Sequence, residues 1–219
     1  MKPFDLIALD WNGTLLDDSV LSAQCISTVC EHFGLPKVSL SEYRKAFRFP
    51  IIEYYRKIGL EDNVVEASKM YFDLYNERKG KLNLFPDAVG FIEFCKRITG
   101  NVVILTAGRE DIIKDEALSH SVDLTVWGGK TMPSEGKMVV AGKLNEWITF
   151  KVRLIKPRVL LIGDTIEDRA CAKALGWDFY AVCTGHCSRK RLLKNTQSVA
   201  DSLDEVQEYL MSDLDIGRN

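Results

Sequence analysis

The sequence predicts an α/β fold, a doubly wound parallel sheet carrying an inserted helical subdomain, and three observations predict it. Short apolar runs recur, each closing on a polar residue. Helical periodicity alternates with them, and one long interval breaks the alternation by offering helical periodicity alone.

The first run, residues 4–10 (FDLIALD), has the continuous apolar character of a strand buried on both faces. The interval from about 16 to 84 follows, with helical patterns at 19–33, 41–58 and 64–78, the second crossed by a Phe47-Arg48-Phe49-Pro50 break. Phe85-Pro86-Asp87 and the amphipathic stretch 88–98 mark the return, since proline is well placed to open a helix. Strand-like runs then appear at 101–106 (NVVILT), 123–126, 158–164 (RVLLIGD) and 179–183, which makes about five strands. A last helix is expected at 202–210, ahead of a polar end. The expected organisation is a core domain of residues 1–15 and 85–219 and a helical insert of residues 16–84.

A chain of 219 residues with 46% hydrophobic and 27% charged residues is long enough for a real core and too apolar for disorder. Its net charge of -2, with both signs interspersed, lacks the basic field that a nucleic-acid backbone requires. No apolar stretch approaches the roughly 20 residues of a membrane span, and the N-terminal run lacks the features of an export signal. A cytoplasmic protein is expected, a monomer or homodimer, with no nucleic-acid or membrane partner. The six cysteines read as reduced, mostly buried thiols. Cys183, His186 and Cys187 are close enough to suggest a metal, but no matching cluster completes the set, and a structural role is favoured.

In doubly wound sheets ligands bind beyond the carboxyl ends of the strands, so Asp10, Thr106 and Asp164 are expected at one rim. Asp10-Trp11-Asn12-Gly13-Thr14 places a carboxylate at a strand end, before a glycine turn whose amides can face an anion, as attack on phosphorus requires. Thr106-Ala107-Gly108 offers a hydroxyl and a small-residue backbone for phosphate oxygens. Asp164 and Asp168, four positions apart where a helix begins, turn toward that rim and with Asp10 can hold a hard cation such as magnesium. The bland alternative for Asp164 is a helix N-cap.

This constellation resembles the haloacid dehalogenase superfamily of aspartyl hydrolases, in its phosphoglycolate-phosphatase-like form with a helical cap on a Rossmann-like core. The first motif matches residues 10–14, the second Thr106 and the fourth Asp164 and Asp168, and the insert resembles the cap domain. The resemblance implies a phosphoric monoester hydrolase with Asp10 as nucleophile and Thr106 as a phosphate ligand. It also implies Mg2+ held by Asp10, Asp164 and the backbone carbonyl of Asn12 with support from Asp168, and a small phosphorylated substrate. It further implies a charge-neutralising lysine. Lys143, after Gly142 at the head of an amphipathic run reaching Leu154 and Ile155, is preferred; Lys137, also after a glycine, is the alternative, and Lys130 and Lys151 read as surface charges.

The departure is Asn12, where superfamily phosphatases carry an acid-base aspartate. Asparagine does not titrate near neutral pH. Two other readings follow from it. One is carbon–phosphorus cleavage as in phosphonoacetaldehyde hydrolase, with a Schiff base on Lys45; the other is a phosphate-binding protein with little or no turnover. Arg48, beside the Pro50 break, is a candidate cap contact for an anionic substrate.

Overall fold

The computed structural model describes residues 3–130, 136–153 and 155–214. Among these, six strands pair in parallel: β1 (Leu6–Leu9), β2 (Val102–Arg109), β3 (Thr125–Gly129), β4 (Val159–Gly163), β5 (Asp178–Val182) and β6 (Val199–Ala200), in the spatial order β3-β2-β1-β4-β5-β6. Every residue of β1 and β4 is buried, which is why both read as unbroken apolar runs.

Ten helices accompany the strands among the described residues. Four lie between β1 and β2 in an insert: α1 (Ser19–His32), α2 (Leu40–Ala46), α3 (Ile51–Lys57) and α4 (Val64–Arg78). The rest are α5 (Ala88–Ile98), α6 (Glu110–Ser119), α7 (Lys137–Val152), α8 (Ile166–Leu175), α9 (Arg189–Leu192) and α10 (Leu203–Asp213). None is long and apolar enough to cross a membrane.

Successive residues of a strand point to opposite faces, and the core divides accordingly. Ile7, Leu9, Ile104 and Ile162 pack against Phe91, Ile113 and Val206 of α5, α6 and α10. Leu6, Ala8, Val103 and Leu161 pack against Val140, Leu144, Cys171 and Leu192 of α7, α8 and α9. The insert has a separate apolar cluster, built on Ile26, Tyr43, Tyr54, Tyr55 and Leu60, in which no residue of the sheet takes part.

The predicted helix at 41–58 is two. Ser39 and Glu42 form a capping box that opens α2, and Pro50, which can neither donate an N–H nor leave its predecessor helical, stands at the N-cap of α3. β2 runs three residues past its predicted end at Thr106, with a register shift against β3 between Leu105 and Arg109. β3 begins two residues later than predicted. β6, with only two residues, shows no strand pattern in the sequence. α7 starts at Lys137, six residues before Lys143; Leu154 lies outside the described residues.

Strand order reverses between β1 and β4, whose carboxyl ends therefore flank a crevice. The loop after β1, the turn after β4 and the first residue of α7 all meet there.

Candidate active site

Asp10 follows β1 directly and donates its N–H to Ile162 O of β4 at 2.9 Å. The chain then turns through Gly13, whose φ is +75°. A Cβ there would lie 2.6 Å from Asp164 Oδ2 and 2.8 Å from His186 Cδ2, so both backbone conformation and space require glycine. Thr14, buried, donates its hydroxyl to Asp164 Oδ1 at 3.3 Å. Asp164 is not the cap of α8. Thr165 is, in a capping box with Asp168, whose Oδ2 accepts the Thr165 N–H at 2.9 Å and its hydroxyl at 2.6 Å.

Asp10, Asp164 and Asp168 are all buried and offer carboxylate oxygens that lie within 4.8 Å of one another. Lys137 Nζ meets Asp10 Oδ1 at 2.5 Å and also binds Asp168 Oδ1. Both oxygens of Asp168 are thereby engaged, one by Thr165 and one by Lys137, which suits it to hold its neighbours in place. The preferred lysine, Lys143, is corrected by this placement. It lies about a turn and two-thirds further along α7, about 240° around the axis, on the exposed side. The glycine that opens the helix is Gly136, not Gly142.

Three buried carboxylates face one ammonium. Burial pushes the Asp10 carboxyl well above the usual range; Lys137 pulls it back, while Asp168 and Asp164 push it further up. Asp164 is raised as well, by burial first, with His186 opposing. Lys137 is held charged: burial would neutralise it, but Asp10 and Asp168 prevail. Uncompensated buried negative charge and an all-oxygen donor set fit a hard divalent cation.

Asn12 donates through Nδ2 to Asp18 Oδ2 at 3.0 Å and to the Tyr75 hydroxyl at 3.2 Å. Tyr75 donates to the same Asp18 oxygen at 3.0 Å. The other oxygen, Asp18 Oδ1, lies 3.1 Å from His186 Nε2 as an ion pair without good hydrogen-bond alignment. His186 Nδ1 faces the Tyr43 hydroxyl at 2.9 Å, and its backbone N–H reaches Asp164 Oδ2 at 2.5 Å. The sequence did not point to this network. Asp18 stands where a helix N-cap is expected yet makes no such bond. His186 turns to Asp18, whereas Cys183 Sγ contacts Ala200 O and Cys187 packs in the core, so the three do not converge.

Thr106 is buried at the rim, but its Oγ1 accepts the Gly108 N–H at 3.0 Å, so that amide is turned inward. Ala107 and Gly108 are half-buried. Arg48 turns back on its own segment, Nε donating to Ala46 O at 3.0 Å, and shares its surroundings with Lys57 and Arg191. Lys45 is exposed on α2. The insert instead meets the core through Arg44, which donates to Thr184 O at 2.5 Å and, within the insert, to Ser19 Oγ at 3.0 Å, while Arg191 donates to Arg44 O and Phe47 O.

The His186–Asp18 pair carries a prediction. Burial alone would favour the neutral imidazole, but Asp18, then Asp164 and Asp10, push its pKa up to about 9, above the ordinary value of 6.5. The resulting stabilisation is fully present below pH 6.5 and is lost as pH rises through about 9. In metal-free protein the loss is on the order of 3 kcal/mol. Denaturant midpoints from pH 6 to 9.5 should fall more steeply for the wild type than for His186→Gln; parallel profiles would refute the pairing.

Residues 7–125 match the family model described as "Haloacid dehalogenase-like hydrolase", and residues 140–206 match a second described as "HAD-hyrolase-like". A curated relative, phosphoglycolate phosphatase of Aliivibrio fischeri, is 23% identical over 228 residues, covering 97% of each chain. Among solved structures, a haloacid dehalogenase-like hydrolase of Streptococcus pneumoniae superposes with a TM-score of 0.78 at 21% identity, over 96% of this chain and 100% of the other. A predicted phosphoglycolate phosphatase of Haemophilus somnus gives 0.74 at 16% identity, over 96% and 99%. At such identities the structural likeness speaks for the fold.

Proposed function

The chain belongs to the haloacid dehalogenase-like hydrolase family, and from that premise we propose that it is a cytoplasmic, magnesium-dependent phosphatase of a small phosphorylated metabolite, working through an aspartyl phosphate on Asp10. The observation that carries this reading is the contact of Lys137 with both Asp10 and Asp168 beside the buried Asp164. That arrangement supports a carboxylate nucleophile at the end of β1 whose negative charge Lys137 offsets against burial. Residues 16–84 serve as the cap, and residues 1–15 and 85–219 as the core.

Asp10, Asp164 and the Asn12 carbonyl would hold Mg2+, which when bound supplies charge neutralisation for the phosphoryl oxygens. Asp10 attacks phosphorus, the bond to the ester oxygen breaks, and the phosphoryl group passes to the carboxylate. Lys137 neutralises charge on Asp10 and on the incoming group. Thr106 and the 12–14 amides bind the phosphoryl oxygens. The departing alkoxide takes its proton from water, because Asn12 has none to give. Water then attacks the phosphorus of the acyl phosphate, the P–O bond to Asp10 breaks, and inorganic phosphate and a proton leave as the Asp10 carboxylate is restored. Asp10 is only 6% exposed, and in this reading the insert swings away to admit substrate and closes over it for turnover.

Phosphoglycolate is the first metabolite to test, on the strength of the relatives' names. Purified protein with Mg2+ should hydrolyse it and p-nitrophenyl phosphate, and acid quenching should trap phosphate on Asp10, read by peptide mass spectrometry. Turnover without label on Asp10 would overturn the mechanism. Asp164→Asn should raise the Mg2+ concentration needed for half-maximal rate about tenfold or more, as loss of one hard ligand implies. An unchanged metal response would remove Asp164 from the metal site.

A second reading, a phosphate binder without turnover, is favoured by Asn12, whose two amide hydrogens are both engaged by Asp18 and Tyr75. Phosphate binding without hydrolysis of any ester would decide for it.

A further inference from the structure

Asn12 leaves the question of what a carboxamide does where an acid is usual, and its partners answer it. Asp18, ionised, can only accept hydrogen bonds, so the Asn12 group 3.0 Å from its Oδ2 must be the NH2. Tyr75 has one hydroxyl hydrogen, and that points to Asp18 Oδ2 at 3.0 Å. Toward Asn12 Nδ2, at 3.2 Å, Tyr75 therefore accepts. Both amide hydrogens are accounted for, and the orientation of the carboxamide follows from donor chemistry alone. Its oxygen has no protein partner among the described residues.

The frame around it is stiff. Asp18 Oδ2 also accepts from Ser22 Oγ at 3.3 Å, one turn along α1, and Ser22 in turn accepts from Tyr71 of α4 at 3.1 Å. Tyr71 and Tyr75 stack with ring centroids 5.9 Å apart. Asp18 is 2% exposed. One partner of Asn12 thus comes from the junction leading into α1 and the other from the far helix of the insert, so the orientation holds when the insert is seated.

We propose that Asp18 and Tyr75 are positioning residues that hold the Asn12 carboxamide with its hydrogens turned into the insert and its oxygen left for the reacting groups. In the seated enzyme, position 12 then works as a hydrogen-bond acceptor, steering a hydroxylic donor such as the attacking water without exchanging a proton with it. Only the kinetic consequence rests on the phosphatase reading.

The test has two arms. In a 15N correlation spectrum of the full chain, the Asn12 side-chain NH2 pair is identified by its disappearance in Asn12→Ala. Tyr75→Phe, which removes a single oxygen, should shift that pair and speed its exchange with water, leaving other side-chain amides in place; Asp18→Asn should do the same. In the kinetic arm, Tyr75→Phe should lower kcat for p-nitrophenyl phosphate about tenfold, the scale of one hydrogen bond, with KM unchanged. The double variant Asn12→Ala/Tyr75→Phe should be no slower than Asn12→Ala. An NH2 pair indifferent to Tyr75, or losses that multiply in the double variant, would overturn the inference. A wild type with no turnover at all would instead overturn the phosphatase reading, and the spectral arm would still decide this one.

Discussion

Asp10→Asn is expected to abolish turnover, by about 10⁴-fold or more, as loss of a nucleophile does, while making the metal-free protein more stable. Two effects compete in the stability. Removing one partner of a buried ion pair is usually destabilising because it strands the other charge. Here Lys137 is not stranded, since it keeps Asp168. What disappears is a buried carboxylate whose charged form is opposed by burial and by two neighbouring carboxylates. Relief of that repulsion should win by on the order of 1 kcal/mol, or about 2–4 °C in melting temperature. Added Mg2+ should reverse the ranking, because it stabilises the wild type by binding and the variant less. Calorimetry with EDTA and with Mg2+, beside rates on p-nitrophenyl phosphate, reads all three outcomes. Retained turnover, or a variant less stable in EDTA, would refute this account of Asp10.

The difference between Asp10 and its surroundings shows how far the sequence carries. β1 and β4 are legible because a strand covered on both faces has only apolar positions, and a polar residue immediately beyond it must be at the rim. Asp10 and Asp164, directly after β1 and β4, are placed by that rule, whereas Thr106 lies within β2 and Asp168 reaches the carboxylate cluster from the first turn of α8. The lysine is ambiguous for a local reason: Gly136-Lys137 and Gly142-Lys143 look alike, and only the true start of α7 separates the buried Lys137, in contact with Asp10, from the exposed Lys143. Asp18 and His186 were beyond reach for another reason. Asp18 belongs to no motif that the sequence displays, and His186 between two cysteines suggests a metal cluster before it is set aside for a structural role. Their pairing spans 168 positions and depends on how the insert sits against the loop after β5.

That pairing also changes what is expected when an acid is placed at position 12. In Asn12→Asp the new carboxylate faces Asp18 Oδ2 where a 3.0 Å hydrogen bond had been. Two like charges at that distance cannot both remain ionised without penalty, so the single variant should be destabilised near neutral pH, on the order of 1–3 kcal/mol. An acid at position 12 would by itself be expected to raise turnover of substrates with poor leaving groups. The structure predicts that the gain is masked, because the new side chain shares a proton with Asp18 and is drawn toward the insert. Asn12→Asp/Asp18→Asn exchanges donor and acceptor across the same contact. It restores the hydrogen bond and leaves one carboxyl group, now beside the reacting phosphoryl group. The double variant should escape the repulsion between two carboxylates, yet stay less stable than the wild type because Asp18→Asn also removes the ion pair with His186. It should also raise turnover of alkyl phosphates by about 10²- to 10⁴-fold over the wild type, the range of general acid-base help, with a smaller gain on p-nitrophenyl phosphate, whose leaving group needs no proton. The measurement is a leaving-group series on wild type, both single variants and the double, with melting temperatures alongside. If Asn12→Asp is as stable as the wild type, Asp18 does not face position 12. If the double variant gains nothing on alkyl phosphates, protonation of the leaving group is not what limits this site.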